Sequence, residues 1–271
     1  MSVYISNAMG SSQPANPNIT YEPLGFGTSG AMTSLTSGGS SNTKGSYGSI
    51  GTTSNAWCGF LLCTGIANIA TARYLLDIRI GSSTIILPDY YIHAGTTASI
   101  NCFVPLQVPT GTLIEARIQS QTASNTLRVA INGIVASTSL PPGFTQATAL
   151  NVDTTSTTPS TTNVPASSSV SWTQLVASTA STYGAIMSSS DTTTTAWTTA
   201  QDYTIILATG ASSSETEFFR YTAHAQAGTG LCQRSEGLAQ KSISSGTRLS
   251  AACLAATPNS DNARVALYGL T

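Results

Sequence analysis

Residues 109–134, PTGTLIEARIQSQTASNTLRVAINGI, read as a β-hairpin, and residues 244–270, SSGTRLSAACLAATPNSDNARVALYGL, read as a second version of it. Laid over each other, Gly111 falls on Gly246 and Thr112 on Thr247, while Ile114, Ala116 and Ile118 fall on Leu249, Ala251 and Cys253. Across the turn, Arg128-Val129-Ala130 falls on Arg264-Val265-Ala266, and Gly133-Ile134 on Gly269-Leu270. In the first copy Ile114, Ala116 and Ile118 face one side of a strand, and Glu115, Arg117 and Gln119 face the other. A slip of one residue would turn that whole apolar set to water, so the register is firmly specified. The hairpin occurs twice in one chain, and the rest of the sequence repeats around it.

Tyr74, Leu76, Ile78 and Ile80 alternate with Leu75, Asp77 and Arg79, the period of two expected of a strand. Gly81-Ser82-Ser83 turns the chain into a return strand at Ile85-Ile86-Leu87, and Pro88 places that strand at an edge or ends it. The second half replays this order. Tyr74 corresponds to Tyr203, Gly81 to Gly210, His93 to His224, and Ser46-Tyr47-Gly48-Ser49-Ile50 to Thr182-Tyr183-Gly184-Ala185-Ile186. No period-3.6 stripe appears, and Ser, Thr and Gly, poor helix formers, occur throughout. Many short strands with turn signals between them predict an all-β chain. We expect two tandem jelly-roll-like antiparallel β-sandwich domains related by internal duplication. The expected layout is an extended N-terminal arm at 1–20, a first sandwich at 21–144, a Ser/Thr/Pro-rich linker at 145–169 and a second sandwich at 170–271. A strand is expected within that linker around Ala149-Leu150-Asn151-Val152.

Charged residues make up only 8 % of the chain, against about 25 % in a typical soluble domain. Their place is taken by 39 Ser and 42 Thr. A hydrophobic fraction of 41 % and a net charge of −1 separate this composition from that of disordered chains, which are apolar-poor and highly charged. The ten basic residues are scattered with no basic run, which excludes a duplex-binding surface dependent on phosphate neutralisation. No run of about 18 apolar residues predicts a membrane span. The N-terminus MSVYISNAMGSSQPANPN lacks the basic and apolar regions of a signal peptide.

Little here suggests chemistry. Glycine phosphate loops, EF-hand loops and HExxH are missing, so no cofactor or metal is expected. There is no GxSxG elbow. His93 and His224 occupy matching strand positions and read as structural. Of the eleven acids, Asp77, Asp89 and Glu115 fall near strands of the first half; all eleven are expected as solvated turn or strand-end carboxylates. The five cysteines, Cys58, Cys63, Cys102, Cys232 and Cys253, read as free core thiols. No catalytic residue is assigned. Four residues are candidates for contact with a partner. Arg128 and Arg264 stand mid-strand opposite the core face, either as subunit contacts or as cross-strand partners of a carboxylate or carbonyl. Tyr90 and Tyr91 offer sugar-stacking platforms or interface anchors, with strand core as the plainer reading; Phe218-Phe219 reads the same way.

The two hairpins share a Gly-Thr opening, an Ala-Arg or Ala-Ala step in the first strand, a small polar turn and a closing Arg-Val-Ala run ending in Gly-Ile or Gly-Leu. In this pattern, which covers about a fifth of the chain, the sequence resembles tailed-bacteriophage virion proteins of the tail, fibre and head-decoration type. The resemblance implies a non-enzymatic structural component of a virion, made in the host cytoplasm. Its implied partners are other copies of the chain, as a trimer or hexamer, and other virion proteins. Two alternatives remain: a module binding host-surface glycans, and a polysaccharide hydrolase using acids such as Asp89 and Glu115.

Overall fold

The computed structural model describes residues 19–271 except 30, 67–71, 95–99, 137–142, 193–198, 226–231 and 234. The expected N-terminal arm lies outside the described residues, apart from Ile19 and Thr20, which already belong to a strand. Among the described residues every regular element is a strand. The first half contains β1 (Ile19–Leu24), β2 (Thr33–Thr36), β3 (Thr43–Lys44), β4 (Gly48–Thr52), β5 (Gly59–Ile66), β6 (Ala72–Ile80), β7 (Thr84–Ala94), β8 (Ile100–Val104), β9 (Leu113–Ser120) and β10 (Thr126–Ala136). The second contains β11 (Ala147–Ala149), β12 (Val164–Ser167), β13 (Thr173–Val176), β14 (Ala185–Thr192), β15 (Gln201–Thr209), β16 (Thr216–Ala225), β17 (Cys232–Gln233), β18 (Ser235–Ala239), β19 (Leu249–Ala255) and β20 (Asn262–Leu270).

The first half pairs β1-β10-β5-β8 in one sheet and β4-β9-β6-β7 in the other. The second pairs β11-β20-β14-β18 and β13-β19-β15-β16. With the short β2, β3, β12 and β17 set aside, the eight remaining strands of each half run 1-8-3-6 and 2-7-4-5, the winding of a jelly roll. The expected fold class is therefore found, as two antiparallel sandwiches with one strand order, but the expected hairpins are not: β9 and β10, like β19 and β20, fall in opposite sheets, so the turn between them crosses from one layer to the other. In the second, β12 pairs with β20 at Val164 and then runs parallel to β19 at Ala166, joining the two sheets at a corner.

Register repeats as well as order. Ile118 lies opposite Leu76 and Ile114 opposite Ile80, while Cys253 lies opposite Ile205 and Leu249 opposite Thr209. Both β4 and β13 carry an irregularity at the same point, between Ser49 and Gly51 and between Gln174 and Val176. One match expected from sequence is corrected. Residues 48–50 sit in β4, whereas Ala185 and Ile186 open β14, the counterpart of β5. Tyr183 instead takes the place of Trp57. Each ring covers a glycine on the last strand: a Cβ at Gly133 would lie 1.9 Å from Trp57, and one at Gly269 would lie 2.3 Å from Tyr183.

The shared Gly-Thr opening has a physical cause. Thr53 accepts the Gly111 N–H on its carbonyl and gives its own N–H to the Thr112 carbonyl, while its Oγ1 donates to Pro109 and accepts the Thr112 N–H. Thr179 makes the same four bonds with Gly246, Thr247 and Ser244. Gly111 and Gly246 both have positive φ, 68° and 82°, which glycine adopts without a Cβ clash. Thr53→Val or Thr179→Val removes two of the four bonds; the first leaves the Thr112 N–H unmatched, while after the second the Thr247 N–H keeps a 3.3 Å bond to the Ser244 carbonyl. The expected cost is about 1–2 kcal/mol, with serine largely restoring it. A valine variant with an unshifted denaturant midpoint would discard the clamp.

The segment 145–169 is not a free linker. Ala147–Ala149 extends the sheet of β20, Val164 is fully buried, and Thr157, Thr158 and Ser160 are buried too. The predicted strand lies there, two residues earlier than expected. Ser and Thr make this stretch read as loop; pairing to β20 is a long-range contact that composition does not encode.

Candidate functional site

Strand β14, AIMSSSDT, alternates between two cores. Ile186 points into the second sandwich, while Ala185 and Met187 join the core of the first. On β20, Val265 and Leu267 line the second core, and Ala266, Tyr268 and Leu270 pack with the first. The outer face of the β14–β20 sheet is therefore the seam between the two sandwiches.

Asp191 ends this face with 1 % of its side chain exposed. Its Oδ1 lies 2.9 Å from Nδ1 of His93, and its Oδ2 lies 3.3 Å from Nε of Arg73 and accepts the Tyr91 hydroxyl. Arg73, Tyr91 and His93 all come from the neighbouring strands β6 and β7 of the first sandwich. Beside them the Tyr268 hydroxyl accepts the Tyr91 N–H at 2.8 Å and donates to the Asp89 carbonyl at 3.1 Å, closing the edge of β7. Burial opposes ionisation of Asp191, yet His93 and Arg73 together hold its carboxyl below the usual carboxylate range. Burial and the adjacent Asp191 push the Tyr91 hydroxyl well above its ordinary value. The folded pKa of Asp191 is lowered, so its contribution to stability is complete above about pH 4, the range of an unfolded Asp, and is lost as pH falls through the lower folded value. Stability measured across that acid range should fall less steeply in Asp191→Asn than in the parent chain; identical slopes would remove Asp191 as the cause.

A second cluster lies on the outer face of the first sandwich. Asp77 is fully buried and lies 2.8 Å from both Lys44 and Arg117. Lys44 also reaches Asp89 at 2.6 Å, and Arg79 reaches Glu115 at 2.9 Å. The irregularity of β7 after Leu87 releases the Asp89 N–H, which donates to Asp77 at 2.9 Å. Arg79 and Arg117 stack on Tyr47 at 3.7 and 4.5 Å from its ring centre, a cation–π arrangement. A groove of about 520 Å3 opens beside it, lined by Ser34, Ser37, Lys44, Ser46 and Tyr47.

The structure thus brings together Asp77, Asp89 and Glu115, but each carboxylate holds a cation. Solvated carboxylates were expected; Asp77 and Asp191 are instead among the most buried groups. The sugar-stacking reading of Tyr90 and Tyr91 is overturned, since both rings are fully buried. Tyr90 donates to Cys102 Sγ in the first core and packs on Tyr268 at 5.3 Å, and Tyr91 anchors the seam. Phe218 and Phe219 are partly buried against the second core. Arg264 lies opposite Asp191 in the ladder, half-buried, and donates to Asn163 Oδ1 at 3.0 Å. Arg128 is exposed on the outer face of its sheet. His93 and His224 do occupy matching positions, opposite Arg73 and Asp202, but only His93 is buried. Four cysteines stand outside any disulfide, Cys102 and Cys253 in the cores and Cys58 and Cys63 half-buried; Cys232 is described only by its backbone. Burial, aided by the charge of Asp261, pushes the Cys253 thiol up to about 12. Sequence reasoning missed Arg73 and Asp191 because they are 118 residues apart; the one available signal was that Arg73 breaks the match with Asp202 beside the matching Tyr74 and Tyr203.

No family model and no curated protein matches the chain. Among solved structures it is similar to PNGF-II, with a TM-score of 0.46 and 7 % identity over 92 % of this chain and 65 % of that one. It is also similar to the N-terminal CBM22-1-CBM22-2 tandem domain of Paenibacillus barcinonensis Xyn10C, with a TM-score of 0.28 and 12 % identity over 94 % and 92 % of the two chains. An allantoicase structure aligns with a TM-score of 0.24 and 12 % identity over 82 % and 75 %. Likenesses of this size carry no argument about activity.

Proposed function

We propose that this chain is a non-enzymatic structural component of a tailed-bacteriophage virion, in the tail apparatus, fibre or capsid decoration, assembling as a trimer or hexamer. The observation that supports this reading is the seam. Two jelly rolls of one strand order are locked by a continuous apolar core and a buried Asp191–Arg73–His93–Tyr91 cluster, which gives a rigid block suited to repetition in an assembly. The acids that chemistry would need are spent on fixed ion pairs with Lys44, Arg79 and Arg117. Mass spectrometry of purified particles from the host that carries the gene should recover the chain in fixed proportion to capsid or tail proteins. Its absence from those particles would end this reading.

Glycan binding is the second reading, favoured by the hydroxyl-lined groove beside Tyr47 and Lys44. Glycan arrays comparing the parent chain with Tyr47→Ala should show binding lost in the variant; no binding by the parent removes it.

A further inference from the structure

The seam joins two unlike surfaces, and each sandwich carries a version of both. One is the outer face of the sheet that contains the last strand, β14–β20 in the second sandwich and β5–β10 in the first. The other is the outer face of the opposite sheet, β6–β7 in the first sandwich and β15–β16 in the second. Within the chain, the β14–β20 face of the second sandwich meets the β6–β7 face of the first. Among the described residues, the β5–β10 face and the β15–β16 face are left over.

The leftover surfaces differ in burial at the same register positions. On the used β6–β7 face, Arg73, Leu75, Tyr91 and His93 are all buried, as is Gln119 on β9. Their counterparts Asp202, Thr204, Thr222, His224 and Leu254 are exposed or half-buried. On the used β14–β20 face, Met187, Ser189, Asp191, Tyr268 and Leu270 are buried. Their counterparts Leu61, Cys63, Gly65, Asn132 and Ile134 are half-buried, with Phe103 43 % and Tyr21 52 % exposed on flanking strands of the same sheet. The charges are exchanged as well. Inside the chain an acid on the last-strand face, Asp191, meets a base, Arg73. On the leftover last-strand face, Gly65 replaces Asp191, and the exposed charge next to it in the ladder is Arg128. On the leftover receiving face, Asp202 replaces Arg73 and its carboxylate is 77 % exposed.

We infer that a second copy of this chain covers these faces: the β5–β10 face of one copy docks on the β15–β16 face of the next, with Arg128 of one copy pairing with Asp202 of the other. This continues between chains the contact that already exists within one. It deepens the assembly reading above by naming the partner and the surfaces. Because the two surfaces differ, the contact is head to tail, and successive copies form a ring where the rotation closes and a filament where it does not. Leu61, Ile134 and Phe103 supply the apolar part, and the charge pair selects the partner and the register.

Sedimentation velocity and native mass spectrometry of the purified chain over a concentration series test this. The parent chain should associate beyond 27.8 kDa, and Arg128→Glu or Asp202→Arg should each raise the concentration needed by about tenfold, the effect of replacing an attraction with a repulsion at a close charge pair. An equimolar mixture of the two variants should recover association, because each leftover face then meets its opposite charge. A parent chain that stays monomeric, single reversals that leave the oligomer unchanged, or a mixture no better than either variant alone would each overturn the inference. If the chain is found in particles while the reversals have no effect, only this interface fails. If the reversals behave as expected but particles lack the chain, only the virion role fails.

Discussion

Asp191→Ala should destabilise the chain by about 3–5 kcal/mol, because it leaves Arg73 charged and buried without its partner. The loss should appear as a lowered denaturant midpoint. It should be accompanied by freer access to the seam, read as faster amide exchange along β7 and β14 than in the rest of each sandwich. The double variant Arg73→Leu/Asp191→Leu separates the pair's net contribution from the cost of orphaning one member. Replacing both charges by apolar groups is often close to neutral, so the double variant should be more stable than Asp191→Ala. If Asp191→Ala kept the parent midpoint, the cluster would have no part in holding the sandwiches together. Asp77 offers a contrast in the same chain. It has two cations and a backbone N–H, but both cations remain 27 % exposed, so solvent offsets part of the loss there.

Gly133→Ala should cost about 3 kcal/mol, which is the range for forcing a well-packed core apart and partly displacing a large aromatic ring. The new methyl would fall within 1.9–2.4 Å of three atoms of the Trp57 indole, a distance that no rotation of the methyl relieves. Trp57 is 3 % exposed, and its Nε1 donates to Glu22 at 2.9 Å. Pushing the ring away therefore exposes apolar area and breaks the bond that ties β1 to the 54–57 turn. Trp57→Leu combined with Gly133→Ala should be less damaging than the sum of the two single changes, since the smaller side chain clears the space. Strict additivity in that cycle would mean the two positions do not share a contact. Gly269→Ala against Tyr183 should behave in the same way, with a closest approach of 2.3 Å.

Much of the fold was legible because period-two patterns need only neighbouring residues. The strands around Tyr74–Ile80, Leu113–Ser120 and Thr126–Ile134, and their repeats, lie where alternation placed them. Pro88 sits in β7 at the sheet edge, where its missing N–H is tolerated. The match of Tyr47 with Tyr183 misled because similar letters stood in for similar roles. Packing against the glycine of the last strand makes Trp57 the counterpart of Tyr183, and nothing local in the sequence says so. Leu75 and Asp77 alternate with the core residues, and Asp77 reads as a solvated carboxylate, but both are buried. Their face is covered by Tyr47 with its two arginines and by the second sandwich.

The sequence alone determined that this chain is all-β, that its halves share one pattern, and that each half ends in two strands opened by Gly-Thr; that those two strands fall in opposite sheets and do not pair as a hairpin was decided by the fold. Alternation and turn chemistry act over a few residues and are written in the order of the letters. The tertiary structure alone decided which outer faces meet. Asp191, Arg73, Tyr91 and His93 are ordinary strand residues until two sandwiches exclude water from between them. Only then does a carboxylate need a guanidinium at 3.3 Å and an imidazole at 2.9 Å. The same geometry left Arg128 and Asp202 exposed on two faces outside that seam.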